Sequence, residues 1–535
     1  MVKSHGLNTD LLQFLERRDS YPHHPDAVRH IQTHISHVFM VPPFVYKIKK
    51  PVNFDFLDYS TLEKRRQFCH REVALNKRLC KDIYLGVVAI LKEGNNYRFA
   101  AEDEHPDLAV EYAVKMKELS EEYFLHTYIR EGTLNRSHLD RVANKLADFY
   151  NRQQPDSEVS KWGKIEKIRV NTDENFSQTK AFIGQTIDKN TFEAIRLFTN
   201  QYFVQNDELF NRRIREGRIV DGHGDLHLEH IHIGPDQVRI YDCIEFNDRF
   251  RYGDLAADLA YLAMDLDFND CWPEERYLID RMAQKLDDED LVRIIDFYKC
   301  YRAYVKGKVK SLQSSEQEVE PGERRQAAIL ARQYFDLSLR YALLGSKPVV
   351  LVFMGRVGTG KSTLAEQLSK KLNVKYFSSD CIRKKMAAIP LTKRVSVKER
   401  ARLYSSEMSK KTYDELHKHA VEIVENGQSV ILDATFSHKQ GRQRLTDELN
   451  PLNVDYCFVE IQASDETIKA RLKSRKQQNN VVSDARLEDF DKLNEKYDPP
   501  DELPVNQLIK INSEQTVEKS LSQLYESLAI KNVDR

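Results

Sequence analysis

The run VVLVFMGRVGTGKST at residues 349–363 decides the fold of the C-terminal part of this chain. Its six apolar residues predict a buried strand, its glycines a tight loop, and the amphipathic pattern at 364–372 a helix. A loop of this spacing lets backbone N–H groups surround phosphate oxygens. Lys361 can then reach the β and γ phosphates, while the Ser362 hydroxyl is placed for Mg²⁺. The run therefore predicts a site for ATP and Mg²⁺.

The residues expected to hold the nucleotide belong to this loop and to the first turn of the helix. They are Gly355, Gly358, Thr359, Gly360, Lys361, Ser362 and Thr363. A glycine-rich turn that binds no ligand is the alternative interpretation. Strand, spacing, lysine and helix coincide here, which favours the phosphate site.

The sequence around the loop alternates apolar strands with helical segments. Strands are predicted at 349–354, 374–377, 428–433, 454–461 and 507–511. Helices that connect parallel strands cover both faces of a sheet. Residues 346–535 are therefore predicted to form an α/β domain with a doubly wound parallel sheet.

Two carboxylates follow predicted strands at the edge where the phosphate loop lies. Asp380 could accept the proton of an attacking hydroxyl, and Arg383, one helical turn later, could hold an anionic group. Asp380 could also be the N-cap of a helix at 381–388. Asp433 ends an apolar strand, where it could hold a metal-bound water or form an ordinary strand-end turn.

These features together resemble the P-loop kinase group that includes polynucleotide kinases and zeta toxins. The shared pattern consists of the phosphate loop, S-x-D-x-x-R at 378–383 and the strand that ends at Asp433. The resemblance implies that Asp380 activates the acceptor hydroxyl and that Arg383 contacts the acceptor. Arg471 resembles the lid arginines of this group and is expected to contact the nucleotide.

A second candidate centre lies at 219–242, where short β-like runs flank the polar loop HGDLHLEH at 223–230. A strand, a polar loop and a second strand ending in aspartate place a base and a metal carboxylate at one γ-phosphate in protein-kinase-like folds. The segment resembles the aminoglycoside phosphotransferase family, whose loop reads H-G-D-L-H-x-x-N. The resemblance implies that Asp225 is the catalytic base and Asp242 a metal ligand.

Residues further upstream favour the same family. The runs at 37–41 and 44–49 predict a strand pair, on which Lys47 resembles the lysine that pairs nucleotide phosphates. Lys49 is the alternative, and Glu72 resembles the helical carboxylate partner of that lysine. An exposed strand lysine and a helix-surface glutamate are the ordinary interpretation of the same residues.

Two features depart from the family pattern. His230 stands where the family has Asn; we retain it as a metal ligand, although imidazole suits Mg²⁺ less well than an amide oxygen. The turn expected to cover the phosphates contains Pro42-Pro43 and no glycine, so fewer backbone N–H groups can approach a nucleotide. This half is therefore expected to bind nucleotide weakly or to act as a docking platform.

A histidine-rich metal site is the competing interpretation of the same loop. Its members would be His223, His227, His230 and His232. Alternate positions along a strand point to opposite faces, which argues against a shared ion.

The order of the two segments resembles bacterial bifunctional aminoglycoside phosphotransferase/ATP-binding proteins. Residues 1–345 are predicted to form a bilobal, protein-kinase-like α+β domain, with an N-lobe at about 1–115 and a C-lobe at about 116–345. The chain of 535 residues is long enough for two domains.

Composition excludes several classes of function. Lys plus Arg is 82 against 83 for Asp plus Glu, so no global charge marks a nucleic-acid coat or a membrane-surface protein. The chain lacks an apolar run that could span a membrane and an N-terminal secretion signal, so a cytoplasmic location is expected. Seven scattered Cys without a CxxC pair indicate reduced thiols.

One local charge excess remains. Residues 392–411 contain seven basic and two acidic side chains, which suits a nucleic acid or a phosphorylated acceptor. An ordinary solvated helix surface is the alternative, since only Tyr404 and Tyr413 offer rings for stacking.

Three functions are therefore open. The first is an ATP- and Mg²⁺-dependent kinase for the hydroxyl of a small molecule or nucleotide-sugar. The second is an RNA or DNA 5′-hydroxyl kinase. The third is a nucleotide-gated ATPase or interaction protein with a degenerate N-terminal domain.

Overall fold

The structure is a computed structural model that describes residues 7–54, 56–154, 156–393, 395–475, 483 and 486–534. Contacts between Cα atoms divide the chain into two compact units. Unit 1 comprises Met1–Asn171 and Asp207–Tyr298, and unit 2 comprises Thr172–Asn206 and Lys299–Arg535. Among the described residues, no helix is long and apolar enough to cross a membrane.

The strands of the described residues are numbered along the chain. In order, β1 to β17 are Arg29–Gln32, Ser36–Val41, Phe44–Lys49, Asn53–Phe54, Leu57–Asp58, Tyr84–Glu93, Asn96–Ala101, Ala109–Lys117, Ile219–Asp221, Ile231–Ile233, Val238–Ile240, Tyr252–Asp254, Val349–Met354, Lys375–Ser378, Val430–Asp433, Asp455–Gln462 and Leu508–Asn512.

The α-helices of the described residues are numbered in the same way. In order, α1 to α20 are Thr9–Leu15, Leu62–Asn76, Leu125–Arg130, Arg136–Asn151, Ser157–Ser160, Ile165–Thr179, Lys189–Gln205, Asp207–Arg215, Leu255–Phe268, Trp272–Leu286, Leu291–Ser315, Pro321–Leu344, Lys361–Leu372, Ser379–Met386, Val397–Leu403, Ser406–Glu425, Lys439–Leu449, Asp465–Arg475, Phe490–Asn494 and Val517–Val533.

Unit 1 contains a six-stranded antiparallel sheet in the order β1-β2-β3-β8-β6-β7. One face of this sheet packs against α1 in a core that includes Phe14 and Tyr46. Helix α2 packs against the sheet in a second core, to which it contributes Cys69 and Val73. Helix α2 begins where the Thr61 hydroxyl accepts a hydrogen bond from a backbone N–H, because such a cap satisfies an otherwise unpaired donor. The predicted strand pair β2–β3 is confirmed.

The remainder of unit 1 is helical around two short antiparallel pairs, β9–β12 and β10–β11. The fully buried Arg213 bonds to Asp254 (2.5 Å) and Asp288 (2.8 Å). Asp254 also caps α9 by accepting from the N–H of Ala256. Because removing one partner of a buried ion pair costs about 3–5 kcal/mol, this network holds the end of β12 and the start of α9 against α8. A protein-kinase-like fold for residues 1–345 stays a prediction.

Unit 2 contains a five-stranded parallel sheet in the order β14-β15-β13-β16-β17, which confirms the predicted α/β sheet of the C-terminal region. All six residues of β13 are buried, since it lies between β15 and β16. The register sets Asp433 beside Phe353 and Ser378. The loop after β13, Asp433 of β15 and the residues after β14 therefore meet at one edge of the sheet.

Helices α7 and α12 also belong to unit 2, although they precede the predicted boundary near 345. Lys371, near the end of α13, forms ion pairs with Asp188 (2.8 Å) and Asp336 (2.6 Å). These pairs connect the helix of the phosphate loop to α12 and to the N-cap of α7. The division into domains 1–345 and 346–535 stays a prediction. Unit 2, which contains the parallel sheet, includes helices from both sides of residue 345.

Candidate functional site

The phosphate loop connects β13 to α13, and glycines give it its shape. At Gly355 φ is 131°, and a Cβ there would lie 2.6 Å from the carbonyl oxygen of Ile461. Gly360, with φ of 99°, is the residue immediately before α13. Only glycine adopts such conformations readily, so the chain can turn from β13 directly into the helix. The N-terminal N–H groups of α13 consequently face the loop, where a helix favours an anion.

Lys361 lies across this loop. Its side chain is buried, and Nζ donates a hydrogen bond to the carbonyl oxygen of Arg356 at 3.0 Å. The Thr359 hydroxyl donates to the same oxygen at 2.9 Å. The ammonium group is thus held over the backbone that the sequence predicts to surround phosphates.

The loop is anchored by neighbouring strands and helices. Arg471 of α18 donates to the carbonyl oxygen of Thr359 at 2.8 Å and to the Ser513 hydroxyl at 3.0 Å. Arg356 donates to Asp465 at 2.6 Å. Arg471 therefore supports the loop directly, and its contact with a nucleotide stays a prediction.

Asp433 is only 3% exposed at the end of β15 and accepts a hydrogen bond from the Tyr376 hydroxyl at 2.8 Å. The Ser362 hydroxyl lies close enough to the same carboxylate to lower its pKa. Burial raises the pKa of Asp433, although Lys361 and the two hydroxyl groups oppose the shift. Hydroxyl and carboxylate oxygens are the ligands that Mg²⁺ prefers, so Ser362 and Asp433 fit this ion.

The raised pKa of Asp433 predicts that its charge destabilises the protein when no ligand is bound. The folded protein binds more protons than the unfolded chain between the ordinary and the raised pKa, so stability falls as pH rises through that window. We expect Asp433→Asn to raise the melting temperature by about 1–4 °C at pH 8. The difference between the variant and the wild type should shrink as the pH falls toward 4, because the unfolded chain then begins to bind the same proton.

The control for this experiment is Asp501→Asn, the same change at an exposed carboxylate. It should leave the melting temperature unchanged at every pH. Melting curves from pH 4 to 8 measure both variants. A lower melting temperature for Asp433→Asn at pH 8 would mean that Lys361 stabilises the carboxylate by more than burial costs.

Asp380 lies in the first turn of α14, whose N-cap is Ser378. The alternative interpretation of Asp380 as the N-cap is wrong, because the helix begins two residues earlier than the sequence predicts. One carboxylate oxygen, Oδ1, accepts hydrogen bonds from Arg383 and from the Tyr404 hydroxyl, both at 3.3 Å. The Arg383 guanidinium lies 4.5 Å from the centre of the Tyr404 ring. Asp380, the predicted base, and Arg383, the residue predicted to contact the acceptor, are therefore in contact with each other.

The basic segment 392–411 forms the loop before α15, α15 itself and the start of α16. Lys393 pairs with Glu399, and Lys411 pairs with Glu407. Tyr413 packs against the core of unit 2 and accepts from the N–H of Phe436. Arg394 lies outside the described residues. Tyr404 is the exposed ring of the predicted stacking pair, and nucleic-acid binding stays a prediction.

In unit 1 the structure brings Lys47, Glu72 and Asp242 together. Lys47 Nζ lies 3.0 Å from Glu72 and 2.5 Å from Asp242. Burial opposes the charge of Lys47, yet Asp242 and Glu72 raise the pKa of the ammonium well above its usual value. Lys49 contacts Glu72 on its other oxygen and also Glu245. Lys47 is thus the lysine that contacts the predicted metal ligand.

The loop at 222–230 places three predicted residues side by side. Asp258 fixes its start by accepting from the N–H groups of His223 and Gly224. His227 Nε2 lies 3.3 Å from Asp225, and His230 Nδ1 lies 2.9 Å from the carbonyl oxygen of Asp225. Burial, reinforced by His227, lowers the pKa of His230 to about 4. The His230 imidazole is therefore neutral at pH 7.

Two of the four histidines in the competing metal interpretation come together. A 3-10 turn at Leu228–His230, rather than a strand, brings the rings of His227 and His230 to 3.9 Å. His223 is engaged with the carbonyl oxygen of Tyr241 instead, and His232 packs against Phe124. The expectation that these histidines point to opposite faces is wrong for His227 and His230, because that argument assumes a strand.

Several contacts in both sites were not predicted from sequence. Tyr376 bonds to Asp433, Tyr404 bonds to Asp380, and Glu245 bonds to Lys49 and Tyr59. Tyr376 lies on β14, which pairs with β15, the strand that carries Asp433. A polar side chain on that predicted strand was a usable signal. The other contacts join segments far apart in the chain, and no spacing indicates them.

Comparisons with known proteins agree with the C-terminal geometry. Residues 350–500 match a family model described as an AAA domain. The chain is 29% identical over 447 residues to uncharacterized proteins of Mycobacterium tuberculosis (Rv2004c) and Mycobacterium bovis (Mb2027c), which covers 82% of this chain and 85% of each relative. The C-terminal region is a P-loop domain.

Two solved structures are similar to parts of the chain. A gluconokinase from Sinorhizobium meliloti 1021 is 15% identical with a TM-score of 0.26, covering 34% of this chain and 92% of its own. A choline kinase from Cryptosporidium parvum Iowa II is 11% identical with a TM-score of 0.38, covering 62% of this chain and 95% of its own.

Proposed function

We propose that the P-loop centre of unit 2 transfers the γ-phosphoryl group of ATP to a hydroxyl of a small molecule or a nucleotide-sugar. One observation carries this proposal. The phosphate loop with Lys361 and Ser362, the buried Asp433 and the pair Asp380–Arg383 all lie at the ends of β13, β15 and β14, which are adjacent in the sheet. A nucleotide phosphate and an acceptor hydroxyl can meet at this edge.

Each residue has a separate task in this proposal. Backbone N–H groups of the loop and the Lys361 ammonium hold the phosphates and neutralise their charge. Ser362 and Asp433 are the residues that would hold Mg²⁺, which supplies further charge neutralisation when bound. Asp380 takes the proton of the attacking hydroxyl, and Arg383 orients the acceptor. Transfer is in line, with catalysis by positioning and electrostatics.

We also propose a second phosphate-binding centre in unit 1. Its support is the contact of Lys47 with both Glu72 and Asp242, together with Asp225 on the neighbouring loop. By resemblance, Lys47 would contact phosphates, Asp225 would orient an acceptor, and Asp242 would hold a metal ion. This centre is secondary, because two of the side chains around it are imidazoles rather than oxygen ligands.

An RNA or DNA 5′-hydroxyl is the second candidate acceptor. It is favoured by the exposed Tyr404 ring beside Arg383 and by the basic segment 392–411. A base could stack on this ring while the basic side chains contact phosphates. Binding of a single-stranded oligonucleotide that weakens steeply with salt would favour this acceptor, and salt-insensitive or absent binding would favour a small molecule.

The proposal is tested by incubating the full chain with ATP labelled at the γ-phosphate and an extract of cell metabolites and RNA. We expect label in an organic product, its formation depending on Mg²⁺. Release of inorganic phosphate at the full rate without any acceptor would instead support the nucleotide-gated ATPase.

A further inference from the structure

We infer that unit 1 binds a divalent transition-metal ion of the zinc class, rather than Mg²⁺, through Asp225, His227 and His230, with Asp242 beside them. Each of the first three residues offers one ligand atom, and these atoms all lie within 4.8 Å of one another. The inference concerns the metal of the secondary centre proposed above. It requires no ATP chemistry in unit 2.

The hydrogen bond of His230 determines which of its nitrogens can bind a metal. Nδ1 lies 2.9 Å from the carbonyl oxygen of Asp225, and a carbonyl can only accept, so Nδ1 carries the proton. The other nitrogen, Nε2, then presents a lone pair 3.6 Å from Oδ2 of Asp242. A lone pair that faces a carboxylate is repelled by it, and a cation bound between the two groups relieves this repulsion. The backbone carbonyl also orients the ring, as partners of metal-bound histidines commonly do.

Asp242 is oriented for the same purpose. Lys47 Nζ bonds to Oδ1, which leaves Oδ2 on the side of His230. The side chains of Asp225 and Asp242 are 31% and 36% exposed, whereas those of His227 and His230 are 9% and 12% exposed. A hydrated ion can therefore enter from the carboxylate side and exchange water for the imidazole nitrogens.

The ligand set decides which metal fits. Mg²⁺ demands oxygen ligands and gives up water reluctantly, so two imidazoles suit it poorly. Zn²⁺ and its neighbours accept mixed imidazole and carboxylate ligands. The chemistry of the residues thus disagrees with the Mg²⁺ that the family resemblance implies.

A consequence concerns Asp225. A carboxylate oxygen that binds the ion is a weaker proton acceptor, so metal loading opposes the base role that the resemblance implies for Asp225. The metal-loaded centre is then a binding site for phosphate-like anions, supported by Lys47, or a structural site.

The amount of metal bound to the protein tests this inference directly. The full chain is stripped with a chelator, dialysed against equimolar Zn²⁺ in a large excess of Mg²⁺, and analysed for bound metal. We expect stoichiometric zinc in the wild type. With Co²⁺ as a spectroscopic probe, we expect ligand-field absorption typical of nitrogen and oxygen ligands.

Two variants and a control separate this site from other thiol or histidine sites. His230→Asn retains an N–H donor for the Asp225 carbonyl, and His227→Gln retains a polar side chain. Each variant removes one ligand and should weaken zinc binding at least tenfold, since even a change to a residue that only supports a ligand costs about 10–100-fold in metal affinity. His232→Asn, on β10 outside the cluster, should bind zinc as the wild type does.

Retention of zinc in both variants, or its absence from the wild type, would overturn the inference. Melting temperatures with and without zinc identify a variant that has failed to fold, in which case the remaining variant decides. ATP turnover is not the readout, so failure here is distinguishable from failure of the proposed kinase activity in unit 2.

Discussion

Replacing Lys361 by alanine is expected to lower ATP turnover by about 10²–10³-fold, because one charged donor that contacts the transferred group typically contributes this much. The loop should keep its shape in the variant. The carbonyl oxygen of Arg356 loses the Lys361 bond but keeps the Thr359 hydroxyl at 2.9 Å. Arg471 and Ser513 also continue to hold Thr359. The loss would therefore report on the ammonium group itself.

Lys361→Met and Lys370→Ala complete this experiment. Lys361→Met keeps the apolar volume of the buried stem, so it should lose turnover as alanine does while it preserves the melting temperature. Lys370 is exposed on the same helix, and its replacement by alanine should leave turnover intact. Steady-state release of phosphate from ATP measures all three. Unchanged turnover in both Lys361 variants would remove the proposed role of the phosphate loop.

Replacing Asp380 by asparagine is expected to lower transfer to the acceptor by about 10²–10⁴-fold, the usual contribution of a general base. Asparagine has the same shape, and its carbonyl oxygen can still accept from Arg383 and Tyr404, which lie 3.3 Å from Oδ1. The packing at the start of α14 should therefore persist. ATP affinity should also persist, since Asp380 lies after β14 and outside the phosphate loop.

The measurement is the transfer of labelled phosphate from ATP into the product formed in the metabolite extract, together with titration of a non-hydrolysable ATP analogue. The same isosteric change at the exposed Asp501 serves as the control. A loss of transfer with unchanged nucleotide affinity supports the base. If Asp380→Asn transfers phosphate at the same rate as the wild type, Asp380 is not the base, and its role is to hold Arg383 in place.

The C-terminal sheet was predictable from sequence to within about two residues at each strand end. The central strands β13 and β15 are short apolar runs, and burial on both faces leaves no polar alternation that could be mistaken for another element. Strand β13 is the clearest case, with six buried apolar residues directly before the glycines. The position of Asp433 followed from the same pattern, because the last residue of a buried strand reaches the edge of the sheet.

Other features depend on contacts that no local pattern encodes. Helices α7 and α12 belong to the unit of the phosphate loop through Asp188, Asp336 and their pairs with Lys371. An amphipathic helix sequence shows that a face is buried but not which surface covers it. Strand alternation predicted that His227 and His230 point to opposite faces. A 3-10 turn at Leu228–His230 instead brings their rings to 3.9 Å from each other.

The central claim is that the loop between β13 and α13 binds the triphosphate of ATP. A crystal structure of the full chain with Mg²⁺ and a non-hydrolysable ATP analogue tests it most directly. The account predicts phosphates within hydrogen-bonding distance of the backbone N–H groups at 358–362, Lys361 turned from the Arg356 carbonyl toward them, and Mg²⁺ beside Ser362. An empty loop, with Lys361 still bonded to Arg356 at saturating analogue, would contradict it.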